Sequence, residues 1–349
     1  MAGDNGIIVS SDVIRRHLRY GDWDLARLAA EGALETAAEE DKGVLYALLS
    51  RAWYRLGKPR RALAMAEEGA KRSDHWEVSL ALGEALVAIG DPLPGRALLT
   101  EALKVARERG APPPSEDTYQ ASADDLAPWQ AAEIELRTAV AEAYRAAGEP
   151  EAGIGIAARA EALAQLRFGA NSLQAAEALH ALGLCQHGAG QQDEARASLK
   201  RSLAILEANN PEHTAVAAVL DALGVVARAR KKPFEAVKLH RKALELWTRR
   251  LGQHASPVGA CRHSLAQALH RTGDFLAARV EMREALVITA RTLGKDHVDT
   301  WITRFEVGRF EVDCGEMEEG FEVMEEARTV VRGRLGPQHP VVKAMDSYL

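Results

Sequence analysis

The sequence has few aromatic residues and no long apolar run. Only 5% of its 349 residues are Phe, Trp or Tyr, although 47% are hydrophobic. Sandwiches and barrels are rich in aromatic and β-branched residues, so a β fold is disfavoured. No stretch approaches the roughly 18 apolar residues that cross a bilayer, and residues 1–10 lack the basic start and apolar core of a signal peptide. We therefore expect a helical, soluble and cytoplasmic protein.

Excess positive charge and metal-binding cysteine motifs are also missing. The formal net charge is −6, which gives no general attraction for nucleic acid or an anionic membrane. The three cysteines, Cys185, Cys261 and Cys314, share no C-x-x-C or Cys/His zinc spacing. We expect reduced, structural thiols and neither a metal ion nor a cofactor.

No catalytic motif is present. The sequence contains no H-E-x-x-H, G-x-S-x-G or D-x-D-x-D-G pattern. Residues 90–97 have the glycine spacing of a phosphate-binding loop, but Arg96 and Ala97 stand where the lysine and the Ser/Thr would be. We therefore predict that the chain is not an enzyme.

What the sequence does contain is an internal repeat. A turn residue recurs eight times, with a small residue five positions later and, in all but the first repeat, another seven positions earlier. Antiparallel helices approach closely where such small residues meet, and glycine ends a helix in the left-handed conformation. The pattern predicts stacked helical hairpins. The turn positions are Gly21, Gly57, Gly90, Gly148, Gly190, Lys231, Gly273 and Gly315.

The pairs Leu82-Gly83, Leu182-Gly183 and Leu223-Gly224 precede three of these turns. A Leu-Gly pair in the first helix and alanines in the second resemble the tetratricopeptide repeat (TPR). The later repeats, of about 42 residues, carry linkers such as Leu293-Gly294…His297 and resemble those of kinesin light chains and many bacterial signalling proteins. The resemblance implies an all-α fold: a right-handed superhelical solenoid of about eight TPR helix-turn-helix repeats.

Repeat spacing also predicts the domain boundaries. Residues 1–110 form an N-terminal block of three repeats, and residues 129–336 form a C-terminal block of five longer repeats. Residues 111–128 between them contain three consecutive prolines and are expected to be a loop. Residues 337–349 resemble a further first helix and are expected to be a cap or a partial helix.

By resemblance to the family, one face of each first helix lines the concave surface of the solenoid. The four histidines of this face are too dispersed to share a metal ion, and with the arginines they favour an acidic or polar peptide. The alternative is a merely solvated polar face. The candidate peptide-binding groove comprises Arg145, His180, His187, Asp221, Arg228, His263, Gln267, His270, Arg271 and Arg309.

A second candidate patch consists of Arg15, Arg19, Arg51 and Arg55 in the first two repeats. It faintly resembles the carboxylate clamp of chaperone-binding TPR proteins, but the asparagines of that clamp are missing. The second helix of repeat six is basic, and repeat eight is acidic. A solvated convex surface explains both, and docking of one copy onto another is the alternative.

The sequence therefore predicts a protein–protein interaction scaffold or adaptor that binds a polar or acidic peptide segment of a partner in its groove. Neither nucleic acid nor a membrane is expected as a partner, and a homo-oligomer is an open possibility. The alternative is a peptide- or ligand-responsive sensor or regulator of bacterial type, in which binding changes the superhelix.

Overall fold

The computed structural model describes residues 4–109 and 128–349, and every regular element in these two segments is an α-helix. No helix within them is both long and apolar enough to span a lipid bilayer. The helices are α1 (Asp4–Tyr20), α2 (Trp23–Thr36), α3 (Glu39–Arg55), α4 (Pro59–Ala70), α5 (Trp76–Ala88), α6 (Pro92–Arg109), α7 (Pro128–Ala146), α8 (Pro150–Phe168), α9 (Leu173–Gly188), α10 (Gln192–Asn209), α11 (Thr214–Ala229), α12 (Pro233–Leu251), α13 (Ser256–Thr272), α14 (Phe275–Thr292), α15 (Val298–Asp313), α16 (Met317–Leu335) and α17 (Pro340–Asp346).

The turns of the repeat lie between odd- and even-numbered helices. All eight turn residues have positive φ, from 59° at Lys231 to 96° at Gly315. This left-handed conformation is usual for glycine at the end of a helix and uncommon for a lysine. The predicted all-α fold of helix-turn-helix repeats is confirmed in the described segments, and α17 follows the eighth hairpin.

Small residues stand where paired helices touch. A Cβ atom on Gly183 of α9 would lie 2.6 Å from Cγ of Leu199 in α10, closer than any real contact. Ser50 and Ser202 fit the same interface by donating hydrogen bonds of 2.7 Å to the carbonyl oxygens of Ala62 and Ala176 on the facing helices. The small side chains therefore set the distance between the two helices of a hairpin.

Three of the linker histidines, His213, His297 and His339, cap helices. Nδ1 of His297 accepts a hydrogen bond from the amide of Asp299 at 3.2 Å, and Nδ1 of His339 accepts one from Val341 at 3.3 Å. His213 does the same for Ala215 before α11, at 3.1 Å. Each histidine satisfies an amide that the first turn of a helix leaves without a backbone partner. The Leu-Gly…His element therefore has a local structural role.

The chain divides into two compact units, residues 1–222 (unit 1) and 223–349 (unit 2), with the boundary inside α11. In unit 1 the first helices form one layer, because α1 packs on α3, α3 on α5, α5 on α7 and α7 on α9. In unit 2, α13 packs on both α12 and α14, and α15 packs on both α14 and α16. The loop predicted at 111–128 lies outside the described residues except for Pro128, which begins α7; the division at that loop stays a prediction.

A long-range contact joins the first hairpin of unit 1 to the start of α11. The indole Nε1 of Trp23 donates a hydrogen bond to Oγ1 of Thr214 at 3.1 Å, and its ring meets the His213 ring edge-on at 5.5 Å. Trp23, His213 and Thr214 are all buried. We call these three residues the clasp of unit 1.

Candidate functional site

Charged side chains from three first helices meet in the interior of unit 1. Arg51 of α3 forms ion pairs with Glu84 of α5 at 3.2 Å and with Glu135 of α7 at 2.9 Å. Burial works against the charge of Arg51, but the two carboxylates outweigh it and raise its pKa. The side chains of Arg51 and Glu84 are only 12% and 13% exposed. The ion pair between Arg51 and Glu135 therefore links the second hairpin to the fourth.

A second set of titratable groups on the first helices of unit 1 has no direct partner; four of its five side chains are half-buried, and the fifth, Arg145, is exposed. It comprises Arg55 of α3, Glu142 and Arg145 of α7, and Glu177 and His180 of α9. None of these five side chains forms a hydrogen bond or an ion pair with any described residue. They do interact at longer range, because Arg55 and Arg145 both act on the pKa of His180. The structure thus brings Arg55 of the second candidate patch next to Arg145 and His180 of the candidate groove.

Burial has the largest effect on the pKa values of Glu142, Glu177 and His180. It raises the pKa of Glu142 and of Glu177, against the nearby charges of Arg145 and Arg55 respectively. Burial also lowers the pKa of His180 to about 4, and the positive charges of Arg145 and Arg55 add to the effect. At neutral pH His180 is therefore an uncharged hydrogen-bonding group.

The guanidinium of Arg55 forms cation–π contacts with two aromatic rings. Its central carbon lies 5.8 Å from the ring centroid of Trp23 and 5.7 Å from that of Tyr54. Burial opposes the charge of Arg55, but Glu177 and Glu84 raise its pKa overall. Since a cation–π contact does not use up the N–H groups of the guanidinium, Arg55 remains able to donate to a ligand.

The interior carboxylates were missed by sequence reasoning. Glu77, Glu135 and Glu177 each stand thirteen residues before the turn glycine of their own repeat, and Glu84 and Glu142 each stand six residues before it. These two rows lie on the same face of successive first helices because they are seven residues, about two helical turns, apart. Recurrence at fixed register was therefore the signal that would have found them.

The remaining predicted residues of unit 1 have different surroundings. Arg15 donates hydrogen bonds to both carboxylate oxygens of buried Glu77 at 2.9 Å, so its role is structural. Arg19 is half-buried on α1. His187 lies 2.7 Å from Oε1 of Gln192 in α10. Asp221, on α11, acts electrostatically on His180.

In unit 2 the positive charge of one predicted arginine, Arg271, acts on another, Arg228; we call these two residues the cationic pair. Arg228 lies at the end of α11 and Arg271 at the end of α13. Burial lowers the pKa of Arg228, and the positive charge of Arg271 lowers it further. Neither guanidinium forms a hydrogen bond or an ion pair with a residue that the structure describes. Two like charges without a carboxylate between them are a natural site for an anion.

The other four predicted residues of unit 2 contact neighbouring side chains. Nε2 of His263 lies 2.9 Å from Nε2 of Gln267, and Arg309 donates to both carboxylate oxygens of Glu306 at 2.9 Å. His270 contacts Oδ2 of Asp313 at 2.8 Å; its ring also meets the rings of Phe275 and Phe310 edge-on at 5.1 and 5.0 Å.

Two of the three cysteines, Cys185 and Cys261, have the environment of structural thiols. Cys185 and Cys261 are buried. Burial raises the pKa of Cys185 to about 11, and its Sγ lies 3.5 Å from the carbonyl oxygen of Ala141. A thiol whose pKa is raised holds its proton at neutral pH and is a poor nucleophile.

Comparison with known proteins agrees with this architecture. The family model described as "Tetratricopeptide repeat" matches residues 131–208 and 213–289. No curated protein matches the sequence significantly. BtubC (BKLC) from P. vanneervenii is 20% identical over 70% of this chain and 92% of its own, with a TM-score of 0.54. The Cut9–Hcn1 hetero-tetramer of APC/C provides a match at 13% identity over 97% of this chain and 54% of its own, with a TM-score of 0.61.

A Rap protein complexed with competence and sporulation factor is 11% identical over 95% of this chain and 99% of its own, with a TM-score of 0.59. At these identities the similarity establishes the fold alone. The matched segments therefore contain tetratricopeptide repeats, and hairpins with the same turn residues recur along the described segments.

Proposed function

We propose that this chain is a non-enzymatic, cytoplasmic scaffold or adaptor that binds a polar or acidic peptide segment of a partner protein on its first helices. The cationic pair of Arg228 and Arg271 is the observation that carries the proposal. A carboxylate placed between them would accept charge-assisted hydrogen bonds from both. It would also relieve their mutual repulsion, because an opposite charge nearby favours the protonated form of each.

The interior of unit 1 supports the polar character of the segment. Arg55 and Arg145 are available to a carboxylate, whereas Glu142 and Glu177 are available to a backbone N–H or an ammonium group. Neutral His180 can donate one hydrogen bond from one ring nitrogen and accept one at the other. A peptide carries all of these partners along its length, so a mixed set of interior groups suits it better than it suits a simple anion.

A non-catalytic role is consistent with the family and with the thiols. TPR proteins generally act as non-enzymatic scaffolds, and the fold as such names no reaction. The raised pKa of Cys185 argues against its use as a nucleophile.

Binding of peptide pools tests the proposal. Fluorescence polarisation would compare a labelled pool of short peptides rich in Asp and Glu with a pool in which lysine replaces these residues. The acidic pool should bind, and Arg228→Glu with Arg271→Glu should weaken it by at least tenfold, since about 1.4 kcal/mol is tenfold in affinity. Arg60→Glu with Lys200→Glu is the matched control, because both residues are exposed and the charge change is equal.

The outcome is decided by the two variants together. If the variant with Arg228→Glu and Arg271→Glu bound the acidic pool as well as the wild type does, the two arginines would not be the binding site. If the protein preferred the lysine pool, the peptide that it binds would not be acidic. Affinity purification from the native host, followed by mass spectrometry, would then identify the partner whose acidic segment competes with the pool.

A second candidate function, the peptide-responsive sensor, is favoured by the clasp. Trp23 and Thr214 join the first hairpin to a distant linker through few side chains, so a ligand in the interior of unit 1 can favour either the closed or the open form. The Rap protein of similar fold was solved with competence and sporulation factor. Small-angle scattering with and without the acidic pool separates the two: a changed profile supports the sensor, and an unchanged one supports the scaffold.

A further inference from the structure

The first helices of unit 2 supply no carboxylate to the cationic pair. Neither residues 223–229 of α11 nor any part of α13 contains Asp or Glu. The three carboxylates in the second half of α15 contact other basic side chains: Glu306 contacts Arg309 at 2.9 Å, Glu311 contacts Arg283 at 2.7 Å and Asp313 contacts His270 at 2.8 Å. The acidic residues of these helices therefore leave the charges of the pair unbalanced.

Arg228 is the more buried member of the pair, and one of its donors has no acceptor. Its Nε is shielded from solvent and donates no hydrogen bond to a described atom. The preceding residue, Ala227, belongs to the same buried cluster as Ala268 and Leu269 of α13. Because Leu269 stands two residues before Arg271, the two arginines leave neighbouring helix ends. A buried donor without an acceptor costs free energy, and an anion bound at the guanidinium would supply the acceptor.

We propose that the cationic pair binds the phosphate of a phosphorylated side chain in the partner's peptide. This inference rests on the proposed peptide-binding function and names the group that the site in unit 2 prefers. A phosphate ester carries a charge of about −1.5 to −2 at pH 7 and three acceptor oxygens. It therefore balances both arginines, whereas a single carboxylate balances one.

The shape of the guanidinium also favours phosphate. Each arginine presents its N–H groups as a planar fork that pairs with two oxygens of a phosphate or a carboxylate. A carboxylate has only two oxygens, so two forks must share both of them. A phosphate has three, so Arg228 and Arg271 can each bind a pair of oxygens with only one oxygen in common.

Polar groups along α13 suit the peptide that carries the phosphate. His263, Gln267 and Arg271 follow one another at intervals of four residues, so they lie in one row along the helix. Nε2 of His263 and Nε2 of Gln267 are 2.9 Å apart, and the amide of Gln267 keeps its oxygen and a further N–H for another partner. Backbone N–H and C=O groups of a peptide can use these, whereas inorganic phosphate has no such groups. The row therefore favours a phosphopeptide over the free ion.

Three peptide pools that differ at one position test the proposal. Each pool has random neighbours around a fixed phosphoserine, glutamate or serine, and fluorescence polarisation measures its affinity for the full chain. The phosphoserine pool should bind about tenfold more tightly than the glutamate pool, because one further hydrogen bond to a charged group contributes about that much. The serine pool should bind more weakly than both. Inorganic phosphate should compete less effectively than the unlabelled phosphoserine pool does.

Single substitutions show whether both arginines are used. Arg228→Gln and Arg271→Gln should each weaken the binding of the phosphoserine pool by about tenfold. Each should affect the glutamate pool less, because a carboxylate can still pair with the remaining fork. That remaining binding also shows that the two variants are folded. Arg60→Gln, at an exposed arginine of α4, is the matched control and should change neither affinity.

The possible outcomes separate this inference from the proposed function. If the glutamate pool binds as tightly as the phosphoserine pool, the phosphate is not recognised, and only the binding of an acidic peptide is supported. If neither these pools nor the pool rich in Asp and Glu binds, both proposals are wrong. If inorganic phosphate competes as effectively as the phosphoserine pool, the site binds a free anion and the phosphopeptide is excluded.

Discussion

Gly21 lies directly against the imidazole ring of His213, although the two residues belong to opposite ends of unit 1. A Cβ atom on Gly21 would stand 2.7 Å from Cδ2 and 2.9 Å from Nε2 of that ring. Both distances are shorter than any real contact of a Cβ atom. The first turn of the repeat array and the linker before α11 therefore fit together with no room for a side chain.

This fit predicts an unusually costly glycine substitution. Gly21 and Gly148 have nearly the same φ, 85° and 81°, but a Cβ atom on Gly148 would meet nothing within 4 Å. Gly148→Ala should therefore lower the free energy of unfolding by about 1 kcal/mol, the cost of the left-handed backbone. Gly21→Ala should cost about 1–3 kcal/mol more, the cost of overpacking. Urea unfolding of both variants measures the difference, and equal losses would show that the contact with His213 is loose.

The clasp itself can be divided into its hydrogen bond and its packing. Thr214→Val removes the acceptor of the Trp23 indole and should cost about 1–2 kcal/mol. Trp23→Ala also removes a buried ring and should cost about 3–5 kcal/mol. Urea unfolding gives both values. If Trp23→Ala cost no more than Thr214→Val, the ring would contribute nothing and the clasp would be only a hydrogen bond.

The sequence alone was enough to place the hairpins. Glycine at seven turns and a small residue five positions later have local causes, the left-handed conformation and the close helix crossing, and both can be read from spacing. Lys231 was located by the same spacing, although its residue type gives no hint of its φ of 59°.

Lys231 is a strained position that glycine would relieve. A left-handed conformation costs an ordinary residue about 1–2 kcal/mol, and part of the gain is lost because glycine makes the unfolded chain more flexible. Lys231→Gly should therefore raise the free energy of unfolding by about 0.5–1 kcal/mol. Lys232→Gly is the matched control, since Lys232 has a φ of −116° and loses the same charge. A destabilised Lys231→Gly variant would contradict this account of the turn.

The candidate site was only partly predictable from sequence. Register and the family resemblance predict that Arg145 and His180 share the concave face of their helices, but neither could show that Arg55, three repeats away from His180, lies close enough to act on its pKa. That proximity depends on how the helices of unit 1 accumulate rotation from one repeat to the next. The contact between Trp23 and Thr214 depends on the same rotation, so no local sequence pattern predicts it.

We expect the charge of Arg51 to compensate those of Glu84 and Glu135 in unit 1. Arg51→Met leaves Glu84 and Glu135 without their partner and should cost about 3–5 kcal/mol. Glu135→Gln should cost less in the Arg51→Met background than in the wild type, because the carboxylate is then uncompensated. A double-mutant cycle in urea measures this coupling. Additive losses would mean that the ion pair of 2.9 Å contributes no stability.

His180 should make the stability of the protein sensitive to acid. Its pKa is lowered from 6.5 to about 4 in the folded protein, so between these values the unfolded chain binds a proton that the folded chain does not. The stabilisation is complete above pH 6.5 and is lost as the pH falls towards 4. A shift of this size corresponds to about 2–3 kcal/mol once partial solvent contact is allowed for. Glu142 and Glu177, with raised pKa values, act in the opposite direction, because the folded chain holds their protons more tightly.

A comparison of His180→Gln with the wild type isolates the histidine from the two glutamates. The difference in free energy of unfolding between the two proteins should be constant above about pH 7 and should shift by about 2–3 kcal/mol in favour of the variant between pH 6.5 and 4. Urea unfolding at a series of pH values measures it, and the constant region above pH 7 serves as the internal control. A difference that stays flat down to pH 4 would mean that His180 is solvated and titrates normally, and that the interior of unit 1 is open to water at that point.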